Sequence, residues 1–111
     1  MKIKLYHDDL KSLYGKHLKD GEIVIPKNIM FLGDRVFEYQ LDLKKVTLPK
    51  HLKEISHWAF DGCSNLETVI VPKGLKYISN NAFYHCSKLS NIDLPKGLIS
   101  IGSEAFFVVL L

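Results

Sequence analysis

A proline followed by a lysine returns every 23 residues along the chain, and this spacing constrains the fold more than any other feature. The 111-residue sequence has four prolines, and all of them keep the interval: Pro26, Pro49, Pro72 and Pro95. A fixed period of roughly 20 to 50 residues is typical of solenoids, in which each unit buries its apolar side chains by stacking on its neighbours. The sequence therefore predicts a stack of similar coils.

The residues before each proline predict one short strand per unit. Two apolar residues stand two positions apart, which is the periodicity of a strand with one buried face. The pairs are Ile23 and Ile25, Val46 and Leu48, Val69 and Val71, and Ile92 and Leu94. Because proline cannot donate a main-chain hydrogen bond, we expect it to end each strand.

A second apolar pattern follows each proline and ends in a phenylalanine. In the third unit it comprises Leu75, Ile78, Ala82 and Phe83. This spacing predicts a 3₁₀ or α-helical turn that presses the phenylalanine into the core. The solenoid is then expected over residues 23–111, as units 23–45, 46–68, 69–91 and an incomplete 92–111.

The segment VPKGLKYISNNAFYHCSKLSNIDLP resembles the BspA-like leucine-rich-repeat family. The family's unit opens with a strand and proline, has an Ile-x-x-x-Ala-Phe centre and closes with Cys-x-x-Leu, and the resemblance covers residues 23–106. It implies an α/β repeat fold, namely a right-handed leucine-rich-repeat solenoid with short parallel strands on the concave face and 3₁₀ or short helical turns on the convex face. It also implies a binding or adhesion protein without catalytic residues.

Residues 1–22 are predicted to form a degenerate N-terminal capping repeat, because a solenoid needs an atypical terminal unit over its first core layer. In one version, Ile3 and Leu5 take the place of the strand pair. In the alternative, a helix that starts at Asp9 covers the core with four side chains. These are Leu10, Leu13, Tyr14 and Leu18.

The last unit ends without a polar residue after Phe106. An exposed apolar end usually indicates a partner, self-association or a missing continuation. End-to-end self-association is one interpretation; a truncation or altered reading frame and a tail that folds back as a lid are the others. The residues assigned to self-association are Phe107, Val108, Leu110 and Leu111.

The outward positions of the predicted strands form a candidate protein-binding face, apolar in its middle and charged at its edges. They are Val24, Thr47, Ile70 and Asp93, flanked by Glu22, Lys45, Thr68 and Asn91. Trp58 stands in a position filled elsewhere by polar or charged residues, so it is predicted either to be an exposed anchor or to lie flat over a neighbouring turn.

The remaining polar residues do not form a recognisable catalytic or metal-binding pattern. Cys63 and Cys86 share one position of the repeat, and core-filling thiols are favoured over a disulfide between stacked coils. The five histidines occupy different positions, which predicts no metal site and no cofactor. The repeated lysines are interpreted as a solvated edge, with an acidic partner or polyanion as the alternative.

Composition narrows the class of partner. The net charge of +3 does not favour nucleic acid, and no apolar stretch is long enough to predict membrane insertion. The first ten residues do not match a signal peptide, which favours the cytoplasm, whereas the family resemblance suggests the cell surface. We therefore expect a non-enzymatic protein-binding module, with a self-associating structural unit as the alternative.

Overall fold

The computed structural model describes residues 2–108 as a stack of coils with extents of 38 × 30 × 21 Å. Very short strands alternate with turns, and a helix lies near the N-terminus. In order, the elements are β1 (Lys4–Leu5), a 3₁₀ turn (His7–Asp9), α1 (Leu10–His17), β2 (Glu22–Val24), β3 (Phe31–Leu32), β4 (Lys45–Thr47), β5 (Glu54–Ile55), β6 (Thr68–Ile70), β7 (Tyr77–Ile78), β8 (Asn91–Ile92) and β9 (Ser100–Ile101).

One side of each coil contributes a strand to a four-stranded parallel sheet, β2-β4-β6-β8, called the front sheet here. Its register keeps the 23-residue period, since Ile23 lies opposite Val46 and Val46 lies opposite Val69. These side chains are buried, whereas the residues on either side of them point outward. The predicted solenoid of parallel strands is confirmed.

A second parallel sheet, called the back sheet, follows the proline turns. It comprises β5-β7-β9 and the separate pair β1-β3. Ile55 and Ile78 are its fully buried residues, although the sequence predicted a helical turn around them. Within residues 2–108 the main chains of β3 and β5 are not hydrogen-bonded to each other, and the Ser56 hydroxyl instead donates to the Gly33 carbonyl at 2.9 Å.

The third side of the coil consists of hydrogen-bonded turns. Val36 N–H donates to the Gly33 carbonyl at 3.2 Å, which is the i to i+3 hydrogen bond of a β-turn. The next amide, that of Phe37, instead donates to the Ala59 carbonyl of the following coil at 2.8 Å. The third residue of each such turn has a left-handed backbone, so no continuous helix forms. These residues are Arg35, Trp58, Asn81 and Glu104, with φ of 62°, 57°, 60° and 55°.

A column of stacked phenylalanines runs through the core. The ring centroids of Phe37 and Phe60 are 5.0 Å apart, and those of Phe60 and Phe83 are 5.2 Å apart. Phe106 continues the stack at 5.2 Å. The first three rings are at most 1% exposed, whereas Phe106 is 38% exposed because no further coil covers it within the described residues.

The N-terminal end of the stack is covered by α1. Its Leu10 and Leu13 are buried against the first core layer, as the helical alternative predicted. The proposed match of Ile3 and Leu5 to the front strands is wrong, because Leu5 pairs in register with Leu32 of the back sheet. That spacing is 27 residues, longer than the repeat, because α1 lies between the two strands. The boundary at residue 22 stays a prediction.

Candidate functional site

The outward face of the front sheet brings most of the predicted binding residues together. Val24 lies opposite Thr47, and Thr47 opposite Ile70, so the three side chains form one row across the sheet. Val24 is 64% exposed and Ile70 is 46% exposed. The flanking row consists of Glu22, Lys45, Thr68 and Asn91 in register.

The front sheet opens into a cleft between its last two strands. Leu48 N–H donates to the Ile70 carbonyl at 3.0 Å, but the described residues contain no equivalent bond from Val71 to Asp93. The last coil therefore separates from β6 after Ile92. A cleft of about 230 Å³ results, and four predicted residues line it: Thr68, Ile70, Asn91 and Asp93.

Trp58 lies on the turn side, away from the front sheet. The Arg35 guanidinium is 4.9 Å from the centroid of its ring system, and the Tyr84 ring meets it edge-on at 5.3 Å. These contacts with neighbouring coils match the interpretation in which Trp58 lies over adjacent turns. Its half-buried ring is therefore not part of the front face, and its role as an anchor stays a prediction.

Asp61 is a buried carboxylate that the sequence analysis did not single out. The residue is 3% exposed, and its Oδ1 atom has no hydrogen-bond donor, with His85 Nδ1 at 4.0 Å. Burial raises the pKa of Asp61 and nearby Glu38 raises it further, while His85 and Arg35 lower it. Because Oδ1 is enclosed, a substrate could not reach it. Nothing in its sequence neighbourhood indicates burial, so the repeat alone could not identify this group.

The two cysteines fill the core. The Cys63 thiol donates to the Phe37 carbonyl at 2.9 Å, and the Cys86 thiol donates to the Phe60 carbonyl at 3.0 Å. Both are free and buried, and burial raises the pKa of Cys63 to about 12. Across residues 2–108, no three His, Cys, Asp or Glu side chains are grouped closely enough to hold a metal ion.

The last coil exposes side chains whose counterparts in the earlier coils are buried or half-buried. Leu94 is 41% exposed and Ile101 is 48% exposed, whereas their counterparts Leu48 and Ile55 are 5% and 0% exposed. Phe107 is also exposed and stacks on Tyr84 at 5.4 Å. Two residues assigned to self-association, Leu110 and Leu111, lie outside the described residues.

Comparisons with known proteins identify the repeat. The BspA type leucine rich repeat region matches residues 11–109 in six copies. The solved leucine-rich repeat protein of T. pallidum is 32% identical with a TM-score of 0.75, covering 80% of this chain and 44% of that one. Within the described chain, no helix is both long and apolar enough to cross a membrane.

Two further solved structures are similar. A leucine-rich repeat protein from Bacteroides ovatus is 32% identical with a TM-score of 0.71, covering 74% of this chain and 21% of that one. The pneumococcal vaccine antigen PcpA is 30% identical with a TM-score of 0.71, and the match covers 76% of this chain and 21% of PcpA. The chain thus spans less than half of each of these proteins, and no curated protein matches it. With this repeat in nearly its whole length, the chain belongs to the BspA-type leucine-rich repeat family.

Proposed function

We propose that the chain is a non-enzymatic protein-binding module and that its front sheet contacts the partner. The observation that carries this proposal is the outward row formed by Val24, Thr47 and Ile70 on hydrogen-bonded strands, in which Val24 and Ile70 are exposed. Side chains on a rigid sheet lose little conformational freedom on binding, which lowers the entropic cost of recognition. Leucine-rich repeats are generally non-enzymatic binding scaffolds, which supports the same conclusion.

Adhesion or host interaction is the finer form of this proposal. It is supported by the similarity to a pneumococcal vaccine antigen and by the family resemblance. The cleft beside Ile70 and Asp93 could receive a side chain of such a partner.

A photo-crosslinking amino acid at Val24 tests the front face. We expect it to crosslink to a partner in extracts of candidate host cells, whereas the same group at Ser87, an exposed position outside the front sheet, should not. Unlabelled wild-type protein should compete for the partner. The Thr47→Arg, Ile70→Glu double variant should compete at least about thirtyfold less well, since losing a binding hot spot costs about 2 kcal/mol.

Circular dichroism of the double variant controls for loss of folding. We expect the spectrum of wild type, because both substituted side chains point outward. Equal crosslinking from Val24 and Ser87, or undiminished competition by a folded double variant, contradicts the front-face proposal.

A second candidate function is a structural unit that self-associates through the last coil. It is favoured by the exposed core positions of that coil, including Leu94 and Ile101. Association would bury this apolar layer, which is otherwise in contact with water.

Sedimentation velocity over a hundredfold range of concentration tests the self-association. We expect the wild-type sedimentation coefficient to rise with concentration, and Ile101→Lys to remain monomeric because a charge would enter the contact. Ile3→Lys is the matched control, since Ile3 is 47% exposed at the opposite end and Ile101 is 48% exposed. A wild-type monomer at every concentration contradicts this candidate.

A further inference from the structure

The turns that follow the prolines carry a concentration of basic side chains. The segments 48–53, 71–76 and 94–99 contain lysine and histidine but no aspartate or glutamate. Their basic residues are Lys50, His51, Lys53, Lys73, Lys76 and Lys96. Because paired strands of successive coils are about 4.8 Å apart, these turns lie side by side along one edge of the stack.

Glycine leaves room at each of the last two turns for a lysine side chain of the preceding coil. A Cβ atom on Gly74 would lie 2.8 Å from Nζ of Lys53, so the Lys53 side chain crosses onto the next coil and places its ammonium beside the turn of Lys73. A Cβ atom on Gly97 would likewise lie 3.0 Å from Nζ of Lys76. The ammonium groups of Lys53 and Lys76 therefore lie at the turns that carry Lys73 and Lys96.

Within residues 2–108 no acidic side chain forms a salt bridge with a lysine of these turns, although Glu54 and Asp93 directly adjoin two of the segments. The salt bridges there join Lys2 to Asp9, Arg35 to Glu38 and His85 to Asp61, and none uses a lysine of the proline turns. Like charges held close together create a positive potential that attracts an anionic group and repels a basic one. The edge is thus complementary in charge to an acidic partner.

The same edge contains a groove with an apolar floor. Its volume is about 460 Å³, with Lys50, Lys53 and Lys73 among the residues that line it. The floor is formed by Leu48, Ile70, Val71 and Pro72. A hydrated polyanion such as a sulfated sugar gains nothing from an apolar floor, whereas a peptide can place an aliphatic side chain on it and carboxylates beside the lysines.

We propose that this basic groove binds an acidic segment of the partner protein, in which aspartate or glutamate alternates with aliphatic residues. Ile70 belongs both to the groove and to the front face, so the segment continues the contact made by the front sheet. The inference therefore rests on the proposed protein-binding function and adds the chemistry of the partner.

A fluorescein-labelled peptide of twelve residues, with glutamate alternating with valine or threonine, tests the groove by fluorescence anisotropy with the full chain. We expect binding that weakens as sodium chloride rises from 50 to 300 mM, because salt screens exposed charges. The Lys53→Gln, Lys73→Gln variant should bind about tenfold more weakly, since two exposed ion pairs are lost. Lys11→Gln, Lys16→Gln removes the same charge from exposed positions on α1 and should bind like wild type.

If peptide binding weakens equally in the two double variants, the groove is not the binding site. The proposal is also contradicted if a peptide with glutamine in place of glutamate binds equally well. Preferential binding of a sulfated hexasaccharide that displaces the peptide would assign the edge to a polysaccharide instead. The front-face experiment separates the two proposals. If the peptide does not bind while Val24 still crosslinks to a partner, this inference alone fails; if the peptide binds and Val24 crosslinks to nothing, the front-face proposal fails.

Discussion

Replacing Phe60 with alanine is expected to lower the free energy of unfolding by about 3–5 kcal/mol, since a buried aromatic side chain is lost and a cavity remains. Phe60 is fully buried, and its ring stacks between Phe37 at 5.0 Å and Phe83 at 5.2 Å. Small domains are stable by only about 5–15 kcal/mol, so the variant should lose a large part of its stability. Urea titration followed by fluorescence of Trp58, the single tryptophan, measures the change.

Phe106→Ala is the matched control for Phe60→Ala. Phe106 occupies the same position of the repeat, but it stacks on Phe83 alone and is 38% exposed. Its removal should cost about 1–2 kcal/mol, because the side chain is partly exposed and less apolar area returns to water. If both substitutions cost the same, the stacked core does not stabilise the protein in the way described.

The stacking of coils could be predicted because the period and the alternation of the front strands both determine which side chains are buried. Ile23, Val46 and Val69 repeat at 23 residues, and they lie opposite one another in the front sheet. The back sheet could not be predicted in the same way. Its strands, such as Glu54–Ile55, are two residues long, which is too short for a periodicity of two to be recognised.

The turns also carried too little signal for a correct prediction. Arg35, Trp58 and Glu104 adopt left-handed backbone conformations that are usually associated with glycine or asparagine, so their residue types did not indicate these turns. Stacking compensates for this, because the amides of these turns donate across coils, as from Trp58 to the Asn80 carbonyl at 3.2 Å. That compensation depends on neighbouring coils and cannot be read from a single unit.

The candidate site, too, could be predicted only in part from the sequence. Alternation alone predicts that Val24, Thr47 and Ile70 share one face, and the register of the sheet places them together. The repeat also predicts a row of lysines. It does not predict that the Lys53 side chain crosses to Gly74, because that contact depends on the direction of a long side chain between coils.

Raising the pH above 9 is expected to destabilise the protein, because the two buried thiols resist ionisation in the folded state. Burial raises the pKa of Cys63 from 9.0 to about 12 and also raises that of Cys86. Their contribution to stability is complete below pH 9, where both folded and unfolded thiols are protonated, and is lost as the pH rises toward 12. Each thiol should cost about 1.4 kcal/mol per pH unit in this window.

Burial also raises the pKa of Tyr14, whose hydroxyl donates to Gln40 Oε1 at 2.8 Å, so this phenol adds to the loss at higher pH. The Cys63→Val, Cys86→Val variant separates the thiols from Tyr14 and from surface groups. Valine is a suitable replacement because Val109 occupies the same position of the repeat in the sequence.

Urea titrations of both proteins at pH 8 and pH 10.5 provide the measurement. Wild type should lose about 4 kcal/mol between the two values through its thiols, and the double variant should lose much less. The additional loss in wild type requires thiols that stay protonated inside the stack. An equal loss in both proteins would mean that Cys63 and Cys86 ionise as readily in the folded protein as in the unfolded chain. Solvent would then reach the core between coils, and the closed packing around the two Sγ atoms would be incorrect.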